Sequence, residues 1–364
     1  MNGSQETANK SSVQDNLTDD QFQSALLEGV SRTFALTIPQ LPDALCKAVS
    51  NAYLLCRIVD TIEDEVSLSP TQKHDFCLGF IEVAKNNQDP GVFAAQLAPL
   101  LSEQTIPAEH ELIREIPRVV RITHNFHPNQ QEALICCVET MAHGMPKFQA
   151  TDLTNGLANL EEHNKYCYYV AGCVGEMLAK LFCHYSPEIA KNRPELLELS
   201  VSFGQGLQMT NILKDIWDDS QRGVCWLPRD IFSKAGFNLD DLSSGPQDPA
   251  FQEGLKYLIS IAHGHLTNAL KYTLLIPKKE AGIRYFCLWA LGMAVLTLKK
   301  IRGNLAFSDS SQVKITRKQV KATILATRLT ARSNLALRLL FRASSAGLSL
   351  PQWSAQRLEP NRYY

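Results

Sequence analysis

Two short acidic clusters constrain the fold of this chain more than any other feature. They read Asp60-Thr-Ile-Glu63-Asp64 and Asp215-Ile-Trp-Asp218-Asp219. Each places carboxylates at i, i+3 and i+4, the spacing that stacks side chains on one face of an α-helix. Such like charges repel, and Mg²⁺, which completes its shell with phosphate oxygens, would remove the repulsion. The spacing therefore predicts two helices that hold a metal–diphosphate cluster.

The residues before each cluster favour this interpretation over a solvated helix face, which is the usual meaning of a lone acidic spacing. They are largely apolar, in 53–59 before the first cluster and in 209–213 before the second. Helices of this kind are buried on several sides, where unpaired carboxylates would be costly. We therefore expect metal ions or cationic side chains as their partners.

Further residues share the faces of the two predicted helices. Tyr53 and Arg57 precede Asp60 and Asp64 at helical spacing on the first. Asn211 joins Asp215 and Asp219 on the second, and an amide oxygen is a neutral ligand that suits a cation. Donors to diphosphate oxygens are predicted at Ser31, Arg32, Arg222 and Arg229.

Composition excludes few functions. The 364 residues are 45% hydrophobic and carry a net charge of −1, which gives no reason to expect nucleic acid as a partner. The ten cysteines form no CxxC pair and no zinc-type spacing. With a polar N-terminus that lacks a secretory pattern, they indicate a reducing cytoplasm.

Helical patterns follow one another with almost no strand signal, which predicts an all-α protein of one domain. The stretches are 42–65, 70–85, 109–124, 128–148, 163–184, 194–219, 249–273, 281–302 and 313–346. We predict a disordered leader over 1–17, a catalytic domain over 18–346 and a tail over 347–364. The longest apolar run, Tyr285 to Leu298, is too short to span a membrane and predicts a buried core helix.

The segment from Ser310 to Leu358 contains no Asp or Glu but many Lys and Arg. Its apolar residues, such as Ile324, Leu329 and Leu335, interleave with the basic ones. The pattern is typical of an amphipathic helix, which could lie on an anionic membrane face or pack on the core with a solvated basic side. Both interpretations remain open from the sequence.

A tyrosine- and glycine-containing helix, Tyr166-Cys-Tyr-Tyr-Val-Ala-Gly172-Cys-Val-Gly175, lies between the two clusters. Its glycines lower intrinsic helix stability and therefore need a reason. Close helix packing is one explanation, and a channel for a long apolar ligand is the other. In the second case the tyrosines would be available for proton transfer.

Four segments in order resemble the squalene/phytoene synthase family, over about residues 30 to 330. They are Ser31-Arg-Thr-Phe34, Tyr53-x3-Arg57-x2-Asp60-Thr-Ile-Glu-Asp64, Tyr166-Cys-x-Tyr-Val-Ala-Gly172 and Asn211-Ile-x-Lys-Asp215-x3-Asp219. The resemblance implies a single-domain isoprenoid synthase bundle of helices around a central cavity. A basic segment, Val313-Lys-Ile-Thr-Arg317-Lys318, is similar to one linked to NADPH use in the squalene branch of the family, with Thr316 as an extra residue.

The resemblance also implies roles for individual residues. Mg²⁺, or alternatively Mn²⁺, would be held by Asp60, Glu63, Asp64, Asn211, Asp215 and Asp219. The diphosphate would contact Ser31, Arg32, Arg57, Lys214 and Arg222. Tyr166 is the first candidate for assisting proton loss and Tyr53 the second, with Arg57 also catalytic. NADPH would contact Lys314, Arg317 and Lys318.

The implied reaction joins two farnesyl diphosphates to presqualene diphosphate and then reduces this with NADPH to squalene. The implied location is cytoplasmic, with peripheral contact to the cytoplasmic membrane face through the basic C-terminal helix. Alternatives are a non-reducing relative that makes presqualene diphosphate, dehydrosqualene or phytoene, a terpene cyclase or chain-elongating prenyltransferase, and a non-catalytic membrane-surface scaffold. The histidine pairs His124/His127 and His263/His265 lack further ligands, and no Rossmann or Walker glycine motif occurs.

Overall fold

A computed structural model describes residues 17–149 and 151–351, without the side chains of Arg32 and Gln149. The predicted leader lies outside the described residues except for Leu17, and so does most of the predicted tail. Regular secondary structure in the described part is helical, and Leu157 and Pro228 form an isolated parallel bridge. The prediction of an all-α protein is confirmed.

The chain divides into two compact units, residues 1–142 and 143–364. The predicted domain boundaries at 18 and 346 stay a prediction. Helices of the first unit are α1 (Asp19–Val30), α2 (Arg32–Thr37), α3 (Asp43–Asp64), α4 (Pro70–Ala84), α5 (Pro90–Leu97), α6 (Pro107–Arg114) and α7 (Ile116–His124), and α8 (Pro128–Gln149) begins there. The long α3 packs against α1, α4, α6 and α7.

The second unit surrounds its longest helix, α12. Its helices are α9 (Leu160–Cys167), a π-helical turn (Tyr168–Gly172), α10 (Cys173–Tyr185), α11 (Pro187–Ala190), α12 (Arg193–Gln221), α13 (Arg229–Ala235), α14 (Pro249–Leu275), α15 (Ala281–Gly303), α16 (Arg317–Thr330) and α17 (Asn334–Ser344). Five of these elements pack on α12: α9, α10, α14, α15 and the π-helical turn. The acidic cluster at the end of α12 is thereby fixed to the core of this unit.

Prolines and caps explain where many of these helices begin. Pro70, Pro90 and Pro107 each occupy a first helical position, where proline costs no hydrogen bond. The predicted helix over 109–124 is wrong as a single element, because Pro117 cannot continue α6 and instead starts α7.

The predicted continuous helix over 313–346 is also wrong. Thr316 caps α16 by accepting a hydrogen bond from the Gln319 amide at 3.2 Å, so residues 313–316 precede the helix. Ser333 then caps a second helix, α17. The basic C-terminal segment is therefore two short helices, each with its own start signal.

Close packing explains the glycines of the tyrosine-containing segment. A Cβ on Gly175 would lie 2.1 Å from the carbonyl oxygen of Ser200 in α12. Gly204 in α12 approaches the Ala171 carbonyl of the π-helical turn equally closely, at 2.0 Å for its Cβ. Backbones at this distance admit only glycine, so the packing explanation accounts for these residues without a channel.

The predicted core helix over Tyr285 to Leu298 lies within α15. By length and composition α15 could cross a membrane, and it is the one such helix in the described part of the chain. However, 61% of its most apolar window is buried in the fold. Trp289 and Leu298 are at most 2% exposed. This burial agrees with a core helix.

Candidate active site

The face of α3 carries an arginine held between two carboxylates. The Arg57 Nε donates to Glu109 Oε1 at 2.8 Å, and its Nη2 also pairs with that oxygen. Arg57 Nη1 lies 3.9 Å from Asp60 Oδ2. Burial opposes the charge of Arg57, but Asp60 and Glu109 together raise its pKa above the ordinary value. The guanidinium is thus anchored on one side and available beside the predicted cation ligand.

Burial raises the pKa of the Asp60 carboxyl to about 7, opposed by Arg57 and reinforced by Asp64 and Glu109. Its side chain nevertheless keeps 28% of its surface exposed. Asp64 is exposed, whereas Glu63 is 4% exposed and its carbonyl accepts from Lys73 Nζ at 2.5 Å. Of the three predicted ligands on this helix, Asp60 and Asp64 are the accessible ones.

Tyr53 occupies the same helix one turn before Arg57. Its ring lies 4.9 Å from that of Phe34, and its hydroxyl donates to the Val30 carbonyl at 3.5 Å. Burial raises the pKa of Tyr53, partly offset by a hydrogen bond with Ser31. Ser31 in turn accepts from the Phe34 amide at 3.1 Å and caps α2. Tyr53 and Ser31, both predicted site residues, are therefore in contact. The side chain of Arg32 lies outside the described part of the structure.

On α12, a lysine links the amide and carboxylate that were predicted as ligands. Lys214 Nζ lies 3.0 Å from Asp215 Oδ2 and 3.5 Å from Asn211 Oδ1. Asn211 is exposed and the other two are partly so. Asn211 and Asp215 lie one turn apart on the same face, and Lys214 lies beside that face.

One turn further along α12, Asp219 is only 9% exposed. Arg222 Nη2 pairs with it, which places that arginine beside the cluster as predicted. Burial raises the pKa of Asp219 to about 6, opposed by Arg222 and reinforced by Asp215 and Asp218. Asp218 does not join them: it accepts from the Ser310 hydroxyl at 2.7 Å and ties α12 to the loop before the basic segment.

Tyr166 is buried against an aromatic partner that the sequence did not indicate. Its ring stacks on Trp226 at 3.7 Å and meets the edge of Phe148 at 5.3 Å. His163 Nδ1 donates to the Trp226 carbonyl at 2.8 Å, and burial lowers the pKa of that histidine to about 4. The neutral His163 therefore holds the backbone of Trp226 through a hydrogen bond, and the Trp226 ring in turn packs against the ring of Tyr166.

The predicted NADPH residues lie at the start of α16. Lys314 precedes the helix, and Arg317 and Lys318 form its first turn, all three exposed. Positive side chains at a helix N-terminus oppose the helix dipole, and an anion there would relieve the repulsion. These residues fit a phosphate group.

The carboxylates fit Mg²⁺ in a particular way. Among the residues that the structure describes, no three histidine, cysteine, aspartate or glutamate side chains converge as a ready metal site. Mg²⁺ is commonly bound by one or two carboxylates together with substrate phosphates. Carboxyls whose pKa burial has raised would lose their proton to such a cation. The donor set therefore fits a metal that arrives with a diphosphate.

The discounted histidines have structural partners. His124 Nε2 lies 3.0 Å from the Ala84 carbonyl, and His265 Nδ1 lies 2.8 Å from the Ser202 hydroxyl. His263 Nδ1 contacts the Ser349 carbonyl at 3.0 Å. Three contacts of predicted site residues or their neighbours were missed from the sequence: Glu109 with Arg57, Trp226 with Tyr166, and Ser310 with Asp218. No sequence signal marks them, because each partner is distant along the chain.

Comparison with known proteins places this arrangement in a family. The squalene/phytoene synthase family model matches residues 27–319. Squalene synthase ERG9 of Candida albicans is 31% identical over 77% of this chain and 61% of its own length. Squalene synthase ERG9 of Saccharomyces cerevisiae is 29% identical over 77% of this chain and 61% of its own length. This chain thus spans about three fifths of the length of these relatives.

Solved structures share the fold at lower identity. TcSQS in complex with the ligand BPH1237 has a TM-score of 0.69 at 23% identity, covering 92% of this chain and 93% of its own. A dehydrosqualene synthase has a TM-score of 0.58 at 20% identity, covering 86% of this chain and 97% of its own. The fold is the all-α isoprenoid synthase type that was predicted. Together with the matched family model, this shows that the chain belongs to the squalene/phytoene synthase family.

Proposed function

We propose that this protein condenses two farnesyl diphosphates head to head to presqualene diphosphate and then forms squalene with NADPH as the hydride donor. The observation that carries the proposal is the pair of carboxylate-bearing helix faces, α3 and α12, each with a cationic side chain already held beside a carboxylate. The similarity to squalene synthases over most of the chain supports the choice of substrate.

Ionisation of an allylic diphosphate is the first task of these residues. We assign Asp60, Glu63, Asp64, Asn211, Asp215 and Asp219 to Mg²⁺, with Mn²⁺ as the alternative ion. Glu63 and Asp219 are the buried members of this set. The bound metal would neutralise the charge that develops on the departing pyrophosphate. Arg57, Lys214 and Arg222 would add fixed positive charge, and Ser31 and Arg32 further donors.

The organic steps need a proton acceptor and the exclusion of water. Carbon–carbon bond formation between the two farnesyl chains leaves a cation, and loss of one proton closes the cyclopropane. Tyr166, fixed by Trp226, is our first candidate for guiding that proton to pyrophosphate, and Tyr53 is the second. Aromatic and apolar walls would keep water from capturing the cation as an alcohol.

For the reductive step we assign the NADPH phosphate to Lys314, Arg317 and Lys318. Their exposure and their place at the start of α16 support this. The hydride of NADPH would replace the second pyrophosphate, so that two farnesyl diphosphates, one NADPH and one proton yield squalene, two pyrophosphates and NADP⁺.

The proposal includes a location. We place the protein in the cytoplasm with peripheral contact to an anionic membrane face through α16 and α17. The support is the absence of any Asp or Glu between Ser310 and Leu358, together with the apolar product.

Product identification tests the proposal. The protein is incubated with farnesyl diphosphate and Mg²⁺, with and without NADPH, and the extracts are analysed by mass spectrometry. We expect presqualene diphosphate without NADPH and squalene with it. Dehydrosqualene or presqualene diphosphate as the end product in the presence of NADPH would instead assign the non-reducing activity.

Charge-neutral variants test the metal assignment. Asp60→Asn and Asp215→Asn should each lower kcat at least about hundredfold, because each removes an anionic ligand from the ion that stabilises the leaving group. Asp43→Asn on α3 and Glu198→Gln on α12 are matched controls, since both side chains are exposed on the same helices. Folded Asp60 and Asp215 variants with wild-type rates would contradict the assignment.

A further inference from the structure

An apolar cavity lies inside the second unit, beneath the two C-terminal helices. Its volume is about 290 Å³, at the lower end of the range for ligand pockets. Helices α14 and α15 form one side, and α16 and α17 form the other. The apolar lining includes Leu270, Leu288, Leu291, Val295, Leu337 and Phe341. Among its lining residues in the described part of the chain, none belongs to the set assigned above to diphosphate, metal or NADPH.

The polar side chains on the α16 wall of the cavity are occupied by partners within the helix. The Thr323 hydroxyl donates to the Gln319 carbonyl at 2.9 Å, and the Thr327 hydroxyl donates to the Thr323 carbonyl at 2.7 Å. The Gln319 side-chain oxygen accepts from the Thr316 amide at 2.9 Å. This wall therefore favours a hydrocarbon over a polar ligand.

The outer side of the same two helices is both apolar and basic. Leu325 and Leu329 on α16 are 62% and 79% exposed, and Leu335 and Leu339 on α17 are 69% and 59% exposed. These leucines, four residues apart on each helix, form one stripe per helix. Exposed basic side chains stand beside them, at Lys318, Lys321, Arg328, Arg338 and Arg342. Leucines and cations on one face are typical of helices that lie in a lipid interface.

We propose that this cavity takes one acyl chain of an anionic membrane lipid, whose headgroup lies among the basic residues of α16 and α17. A lipid is the occupant because it supplies both complements at once: a negative headgroup for the cations and a hydrocarbon chain for the apolar lining. The inference rests on the membrane contact proposed above and is independent of the catalytic assignment.

Vesicle flotation of the full chain tests the surface contact. The protein should float with phosphatidylcholine vesicles that contain phosphatidylglycerol, and not with phosphatidylcholine alone. Replacing Leu325, Leu329, Leu335 and Leu339 together by Ser should weaken binding at least about tenfold. Val66→Ser with Val92→Ser is the matched control, because both valines are more than half exposed but lie in the first unit.

Photolabelling tests the acyl-chain site separately. Phosphatidylglycerol with a photoreactive group on one acyl chain should label peptides of α14 to α17 that line the cavity. Ala326→Phe places a ring in the cavity and should abolish this labelling while flotation persists. Ala322→Phe at the exposed edge of the cavity is a second such variant, and Ala343→Phe on the exposed side of α17 is the control.

Two outcomes would overturn the inference. Label confined to the exposed leucines, or equal labelling of wild type and of both cavity variants, would mean that no chain enters. Cavity labelling by a photoreactive polyprenyl chain but not by the lipid would assign the site to an isoprenoid instead. Loss of squalene formation with intact lipid labelling would affect only the catalytic proposal.

Discussion

At the residue scale, the contact between Arg57 and Glu109 shows how the arginine that we propose as a diphosphate ligand is positioned. Glu109 is 7% exposed and comes from α6, whereas Arg57 belongs to α3. The pair leaves the guanidinium oriented toward Asp60 rather than free to rotate. A side chain that is already held in position loses little conformational entropy when the substrate binds. Less of the binding free energy is then needed to orient it for the reaction.

Glu109→Gln should therefore impair turnover more than substrate binding. Without the counter-charge Arg57 loses its fixed orientation, and we expect kcat to fall about tenfold to hundredfold. The measurement is kcat and KM for farnesyl diphosphate, with Glu103→Gln as the exposed control. A change in unfolding free energy without any change in kcat would reduce Glu109 to a purely structural role.

Glu65 is a residue whose charge stabilises the end of α3. Burial would raise the pKa of Glu65, but hydrogen bonds from the Ser67 and Ser102 amides and the Thr105 hydroxyl lower it to about 2. The carboxylate therefore contributes stability above the unfolded pKa of 4.5, and this contribution is lost as pH falls toward 2. Glu65→Gln should lose up to about 3 kcal/mol at neutral pH in urea unfolding. An unchanged midpoint would contradict this.

At the element scale, Arg284 joins the ends of three helices. Its guanidinium donates to the Ile276 carbonyl at 2.8 Å after α14 and to the Ala331 carbonyl at 2.6 Å between α16 and α17. The residue is 1% exposed, and burial lowers its pKa. The break between the two C-terminal helices thus has a tertiary partner that no local pattern contains.

Arg284→Met should leave those carbonyls buried without a donor and cost about 3–5 kcal/mol of unfolding free energy. Lys299→Met is the matched control on the same helix, because that lysine is exposed. Equal denaturant midpoints for the two variants would contradict the capping role.

The close contact between α10 and α12 gives a second testable prediction at the element scale, on the stability of glycine variants. Gly175→Ala should lower the free energy of unfolding by about 1–3 kcal/mol, because the added methyl group overlaps the Ser200 carbonyl. Gly303→Ala at the end of α15 meets no atom within 4 Å and should be neutral or slightly stabilising. Thermal unfolding of the two variants compares them directly.

Sequence patterns predicted contacts between residues on one helix face but not contacts between residues that are distant along the chain. The faces of α3 and α12 follow from helical spacing, which places Arg57 on one face with Asp60 and Asn211 on one face with Asp215. Glu109 and Ser310 were missed because their partners lie 52 and 92 residues away. Short helices such as α5 and α13 were missed because a few turns carry too little periodicity to detect.

At the scale of the whole molecule, buried histidines and buried carboxyls make opposite contributions to the response to acid. Burial lowers the pKa of both His163 and His265 to about 4, whereas the ordinary value is 6.5. At these two sites the unfolded chain therefore binds protons first, and their contribution to stability is lost as pH falls from 6.5 toward 4. Asp60 and Asp219 act in the opposite direction, because burial raises their pKa to about 7 and about 6 and the folded chain binds these protons first. Each histidine contributes up to about 3 kcal/mol to this loss.

His163→Gln and His265→Gln should each remove one of these destabilising contributions, so that the unfolding free energy falls less between pH 6.5 and 4 than in the wild type. Urea titrations at several pH values in that window measure the slope, which does not depend on the absolute stability of the variant. His127→Gln, an exposed histidine, is the control. A wild-type slope in both variants would assign the acid response to other groups.

The close contact of α10 with α12 has a consequence for mutational tolerance across the molecule. In a saturation screen scored by activity, Gly175 and Gly204 should be as intolerant as Asp60, although neither touches a reacting atom. The two kinds of position separate when abundance is scored beside activity, because glycine variants lose the protein whereas aspartate variants lose only turnover. Such a screen would divide the segment from Tyr166 to Gly175 into residues needed for turnover at its start and residues needed for helix packing at its end.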